Sequence, residues 1–297
     1  MEQTKFRVLL AYDGSELAID AARYVGMVFP PETTEVVVFY VESKIPRSFW
    51  EMERDLDFRF KTPEIRASMT ERYRLVKECM DKAREILEGK GFPPEAIVTK
   101  IHTKEQGVVR DIVQESRQGY DAVVVGRKGF SRLKDLLLGS VPVKLLGKIK
   151  SIPLIVVGGI PRHKNVLIAF DGTREAVEAV RRMGRLINSQ GCKLLLCHAF
   201  KTGSAVETNV NLKDNEFFKP SVECLTSAGF TEGQLTCEFI SSEGDLTNNI
   251  VKRAQEGGYE IIVIGRRNLT FLKQIFHGRV GDKIFQAADN QVVWIVQ

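Results

Sequence analysis

The sequence predicts an α/β protein: two tandem copies of one alternating strand–helix unit, each with five strands in a parallel sheet. Three observations predict it. The chain repeats itself once. Its apolar runs have strand length and are continuous rather than alternating. The segments between them carry apolar residues at three- and four-residue spacing.

The repeat is read directly. Val8-Leu9-Leu10-Ala11-Tyr12-Asp13-Gly14-Ser15 returns 158 residues later as Val166-Leu167-Ile168-Ala169-Phe170-Asp171-Gly172-Thr173. Gly119-Tyr120-Asp121 and the apolar run after it return 139 residues later as Gly258-Tyr259-Glu260 and another apolar run. The second copy is therefore nineteen residues shorter in its middle. Gly158-Gly159-Ile160-Pro161 reads as the linker, which divides the chain into domains at 1–158 and 159–297.

In the first copy, residues 6–11 form a continuous apolar run, as expected of a strand covered on both faces. Asp13-Gly14-Ser15 opens a helix with Ser15 at its N-cap and Ala18, Ala21, Ala22 and Val25 as its stripe. A second strand spans 35–41. Thr62-Pro63 starts a helix that lasts to about Gly89, with Met69, Tyr73, Val76, Met80, Ala83 and Leu87 on one face. Strands at 97–102, 122–125 and 154–157 alternate with helices at 108–116 and 141–149; the second copy closes with a strand at 292–296. Residues 43–61 are dense in charge and aromatics without a period, and read as a surface loop or as a lid or partner-binding segment. Residues 201–213 are a polar counterpart.

Composition excludes several classes. Of 297 residues, 43% are hydrophobic, and 43 basic against 38 acidic residues give +5. A disordered chain has fewer apolar residues. The charge divides as +3 and +2 between 1–160 and 161–297, with both signs interspersed, so no nucleic-acid footprint is expected. No run reaches the ~18 apolar residues of a membrane span, so no membrane partner is expected either. A polar Met1–Lys5 leaves no room for a secretory leader, and five cysteines without a C-x-x-C pair read as reduced thiols. Both suggest a cytoplasmic protein.

The motif with chemistry follows the fourth strand. Gly126-Arg127-Lys128-Gly129, nine residues, then Gly139-Ser140 lies between a strand and a helix. Glycines let main-chain N–H groups approach a phosphate, and a helix start is an anion site. Ser140 is expected to cap that helix and to donate to a phosphate oxygen, and Pro142 sits where a missing N–H costs nothing. Ligands of open α/β sheets bind beyond the carboxyl ends of strands where strand order reverses. That places Asp13 for ribose hydroxyls and the backbone near Val41 for a purine. The alternative is that these glycines only make turns and Asp13 only caps its helix.

These residues, with the Pro-Leu-Ile-Val-Val strand at 153–157, resemble the universal stress protein family. The resemblance covers nearly the whole chain as two tandem family domains. It implies a doubly wound sheet in each, strand order 3-2-1-4-5, of the adenine nucleotide alpha-hydrolase-like type. It implies an ATP site, with or without Mg²⁺, formed by Ala11, Tyr12, Asp13, Val41, Val125, Gly126, Lys128, Gly129, Gly139, Ser140, Val141 and Pro142. ADP and AMP share the adenine, ribose and α-phosphate and are not distinguished. It further implies a stress-response role and paired edges of the fifth strands: a pseudo-dimer within one chain, with a homodimer of chains left open.

The second copy keeps the spacing but not the residues. With Asp171 and Gly265 retained, Asn268 replaces the second loop glycine and Gly278-Arg279 replaces Gly-Ser. A degenerate site follows, and one ATP per chain. The histidines (His102, His163, His198, His277) lack metal-ligand spacing, and Cys192 and Cys197 are expected on opposite faces. There is no Walker A sequence, no G-x-S-x-G elbow and no kinase set of catalytic and Mg²⁺-binding residues. No catalytic residue is named. A nucleotide-binding regulator is favoured; a weak ATPase or self-phosphorylating protein, and a ligand-free scaffold, are the alternatives.

Overall fold

The computed structural model describes residues 5–42, 62–129, 138–201, 215–242, 246–265 and 290–296. The first half runs β1 (Phe6–Ala11), α1 (Glu16–Val28), β2 (Thr34–Glu42), α2 (Thr62–Glu88), β3 (Ile97–Thr103), α3 (Val108–Glu115), β4 (Ala122–Gly126), α4 (Ser140–Lys148) and β5 (Leu154–Val157). The second runs β6 (Val166–Ala169), α5 (Arg174–Leu186), β7 (Leu194–Lys201), α6 (Lys219–Ser227), β8 (Leu235–Ser242), α7 (Leu246–Glu256), β9 (Ile261–Gly265) and β10 (Val292–Val296). Eighteen residues of difference fall on the helix after the second strand, close to the nineteen read from the repeat: α2 has 27 residues and α6 has 9. Residues 43–61 and 202–214 lie outside the described residues.

The strands form one ten-stranded sheet, β3-β2-β1-β4-β5-β10-β9-β6-β7-β8. Each half shows the order 3-2-1-4-5, and every pairing within a half is parallel. The halves meet where β5 and β10 pair antiparallel, Val157 opposite Val292 and Leu154 opposite Ile295. The expected pairing of the fifth strands is thus a continuous sheet, because two apolar edges with unpaired N–H and C=O groups satisfy one another.

Strand alternation sorts the side chains into two cores. Val8 and Leu10 go to one face with α1, α2 and α5; Leu9 and Ala11 go to the other with α3, α4 and α7. This is why the strand sequences read as unbroken apolar runs. Both cores cross the junction. Trp294 of β10 is fully buried, stacks on Phe29 at 5.9 Å and donates its indole N–H to the Tyr24 hydroxyl of α1 at 2.6 Å. The Asn188 amide donates to the Val28 carbonyl at 2.8 Å. Cys192 and Cys237 lie in the first core and Cys197 in the second, so the opposite-face expectation for Cys192 and Cys197 holds. Burial pushes the Cys192 thiol up to about 11 and those of Cys197 and Cys237 up to about 12, values that favour inert thiols. All five cysteines are free. Among the described residues no helix is long and apolar enough to cross a membrane, and no three His, Cys, Asp or Glu side chains converge on a metal site.

Candidate nucleotide cleft

Strand β1 ends at Ala11, and the chain must turn sharply to send α1 back along the sheet. Gly14 adopts φ +82°, a conformation that costs little only for glycine. Asp13 braces the turn: its Oδ1 accepts from the Ser15 amide at 3.0 Å and the Ser15 hydroxyl at 2.6 Å. Ser15 then caps α1, accepting from the Ala18 amide at 3.3 Å, as its position in the sequence predicts. One carboxylate oxygen of Asp13 is therefore committed to the turn. The other, Oδ2, faces Gly129.

The loop glycines are required by close approach of neighbouring chain. A β-carbon on Gly126 would lie 2.7 Å from the Leu17 carbonyl, and one on Gly129 would lie 2.2 Å from Asp13 Oδ2. One on Gly139 would lie 3.1 Å from the Arg127 carbonyl, which accepts the Gly139 amide at 2.8 Å and closes the loop. None of the three has a positive φ. Close packing, and not a left-handed backbone, is therefore what these three positions require of glycine. A side chain at Gly126 would run into the α1 backbone, one at Gly129 would have to displace the Asp13 carboxylate, and one at Gly139 would press on the loop base.

Helix α4 begins at Ser140, and Gly139 is its N-cap, with no side chain bonded to the cap position. The expectation that Ser140 caps this helix is corrected: it is the first helical residue, one position too late for its hydroxyl to fold back. Pro142 occupies the first turn, where the first amides have no intrahelical acceptor. The two helix starts at this end of the sheet thus differ. That of α1 is closed by Ser15; that of α4 has no side-chain cap.

These elements enclose a cleft of about 370 Å³ at the carboxyl ends of β1 and β4. All twelve residues that the sequence singled out line it: Ala11, Tyr12, Asp13, Val41, Val125, Gly126, Lys128, Gly129, Gly139, Ser140, Val141 and Pro142. Five more described residues line it: Ala18, Phe39, Tyr40, Val108 and Ile112. Sequence reasoning missed these. The adjacency of Phe39 and Tyr40 to Val41, and the four-residue spacing of Val108 and Ile112 on one helix face, were the available signals. Tyr12 is buried, its ring belonging to the core on the α1 side and its amide donating to the Phe39 carbonyl at 2.9 Å. Burial holds its phenol well above the ordinary tyrosine range, so it stays neutral.

The second half repeats the turn. Asp171 Oδ1 accepts from the Thr173 amide at 3.0 Å and hydroxyl at 2.6 Å, Gly172 has φ +75°, and Thr173 caps α5. Among the described residues the surroundings do not repeat. A β-carbon on Gly265 would meet nothing within 4 Å among the described residues, and the Phe217 ring crowds Gly172, 2.3 Å from where its β-carbon would stand. Phe217 belongs to an aromatic set with Phe170, Phe218, Phe239 and His198; the His198 Nδ1 bonds the Phe170 carbonyl at 2.8 Å. Asn268, Gly278 and Arg279, and with them His277, lie outside the described residues.

Comparison with known proteins agrees with this arrangement. The sequence model of the universal stress protein family matches residues 6–158 and again 162–296. The chain belongs to the universal stress protein family. The universal stress protein YxiE of Bacillus subtilis (strain 168) is 27% identical over 134 residues, 41% of this chain and 90% of that protein. A universal stress protein from Archaeoglobus fulgidus DSM 4304 shares the fold over 99% of this chain and 97% of its own, at 17% identity and a TM-score of 0.56. A functionally unknown protein from Pseudomonas aeruginosa PAO1 does so over 99% and 93%, at 14% identity and a TM-score of 0.53. The tandem arrangement of two family units is therefore that of the whole chain.

Proposed function

We propose that this protein is a nucleotide-responsive regulator of the stress response, holding one adenine nucleotide, ATP in the first instance, in residues 1–158. In this reading residues 159–297 are a companion domain that has lost its site. The observation that carries it is the convergence of all twelve sequence-selected residues on one cleft. The residues fit the ligand. A volume of about 370 Å³ lies in the range of small-molecule sites. Phe39, Val41, Val108, Ile112 and Val141 offer apolar walls to a purine. Lys128 and the α4 start, which lacks a side-chain cap, offer positive charge and N–H groups to phosphates, with Mg²⁺ as a companion of the triphosphate. Asp13 Oδ2 is the acceptor for ribose hydroxyls.

Binding is favoured over turnover. Asp13 is the only carboxylate among the described lining residues, and one of its oxygens already braces the α1 turn. Hydrolysis would need a base with free capacity near the phosphates. Native mass spectrometry of the purified protein identifies the nucleotide and separates ATP from ADP and AMP; calorimetry should give one site per chain. Two equivalent sites, or none, would overturn this reading. Turnover of labelled ATP above about 1 per second, abolished by Gly129→Asp, would replace it with an enzymatic one; enzymes typically turn over near ~10 per second.

A further inference from the structure

His102 stands behind two of the residues that line the cleft, Phe39 and Val41. It lies on β3 opposite Val41 in the sheet register, and its ring stacks on Phe39 at 5.6 Å. Its Nε2 stands 4.0 Å from Oδ2 of Asp111, whose side chain is almost wholly buried while His102 is about a third exposed. Asp111 lies in the first turn of α3 and accepts two main-chain amides, those of Glu105 and Gln106, each at 3.0 Å. Helix α3 carries Val108 and Ile112 into the cleft, and β2 carries Phe39 and Val41. His102 and Asp111 therefore face each other, 4.0 Å apart, between the two walls that would flank a purine.

The second half shows what the fold does without this contact. The register opposite Ala199, the counterpart of Val41, is Ile240, and the 139-residue offset puts Ile250 at the place of Asp111. Both isoleucines pack against the apolar core on this face. A plain apolar pair thus serves the half that lacks the cleft residues, and a titratable pair stands where the cleft is. An apolar pair is the simpler way to fix a helix on a sheet. An ionisable pair responds to protons where an apolar pair does not.

We propose that His102 and Asp111 form a proton-operated clasp on the nucleotide cleft: protonated His102 draws α3 onto β2 and tightens the base slot. The proposal rests on the nucleotide reading above. Asp111 is not the sole carboxylate that feels the charge of His102; Glu115 does so too. Among the described residues, α3 also presents Glu115, which is bonded to Lys100 at 2.7 Å and to the Tyr120 hydroxyl at 2.7 Å. From β3 come Lys100, engaged with Glu115, and Lys104, one residue beyond the strand. From β2, Glu42 lies on the opposite face by strand alternation.

The test is adenosine affinity at pH 5.5 and pH 8 for the protein and for His102→Gln, adenosine carrying no group that titrates in that window. The protein should bind roughly twofold to fivefold more tightly at pH 5.5, the size of an ion pair with one exposed partner, and the variant equally at both. A pH dependence that survives in the variant, or is missing from the protein, overturns the clasp. If adenosine and ATP bind at neither pH, the nucleotide reading falls and the clasp is judged by amide exchange in α3. Protection that is greater at pH 5.5, after correction for intrinsic rates, and is lost in His102→Gln upholds it; equal protection in both overturns it.

Discussion

The turns after β1 and β6 are built alike: an aspartate bracing the next hydroxyl residue, a glycine at positive φ, a Ser or Thr capping the helix. Only the first turn opens onto a described cleft. The shared turn is a device for starting a helix at the end of a strand. The difference lies in what leans on it. In the first half the end of β4 and the loop after it come so close that a side chain at Gly126 meets the α1 backbone and one at Gly129 meets the Asp13 carboxylate. In the second, Gly265 meets no described residue, Phe217 presses on Gly172, and a nine-residue helix stands where the first half has 27 residues.

That comparison can be broken in several places. The largest effect is expected at the seam. Trp294→Ala removes a fully buried indole and its bond to Tyr24, and should cost about 3–5 kcal/mol. Because the seam belongs to both halves, thermal unfolding should stay a single transition at a lower midpoint; a melt that loses only the second half would show two independent sheets. Gly129→Asn gives the first half the residue of the second. Its β-carbon would fall on Asp13 Oδ2, so ATP affinity measured by calorimetry should drop roughly a hundredfold, about 2.7 kcal/mol, with the far-ultraviolet spectrum unchanged. Unaltered affinity would remove the loop glycines from the explanation.

Stability offers a paired test that needs no ligand. Gly126→Ala drives a methyl into the Leu17 backbone and should cost about 1–3 kcal/mol in urea unfolding, whereas Gly265→Ala should stay within about 0.5 kcal/mol. Equal costs would show that the two helix starts are packed alike.

The smallest effect concerns acid. Burial works against the charged form of Glu115, yet hydrogen bonds from Lys100 and Tyr120 hold its carboxyl below the ordinary range. A carboxyl lowered in the folded state adds stability that is present above the unfolded value, near ~4.3, and is lost as pH falls through the lower folded value. The repeat places Ala254, fully buried, at the corresponding position in the second half. Glu115→Gln should therefore flatten the fall in stability between about pH 5 and pH 3, measured by denaturant titration at each pH. An unchanged slope would assign the acid response to other carboxylates.

Much of this was legible in the chain. The apolar runs at 154–157 and 292–296 have the same limits as β5 and β10, and the other first-half strands end within one residue of expectation, because a strand buried on both faces leaves a continuous apolar signature. The cleft residues were legible as a set, since a strand end, a glycine loop and a helix start must lie together in a parallel sheet. Less legible were their individual reasons. Gly126 reads as a phosphate-facing residue, and only its 2.7 Å clearance from Leu17 reveals a packing constraint. Ser140 reads as a cap and is a first-turn residue. His102 reads as one of four scattered histidines, since nothing local joins it to Asp111 nine residues on.

What the sequence determined alone was the repeat, the alternation of strand and helix, and the asymmetry between Gly-Gly-Ser in one copy and Asn-Gly-Arg in the other. Those depend on local patterning, which a linear chain displays. Tertiary structure alone decided that β5 and β10 join antiparallel into one sheet, which atoms a side chain at each glycine would meet, and which histidine faces a buried carboxylate. Those outcomes depend on distances of a few ångströms between residues far apart in the chain, and close packing sets them only once every layer is in place.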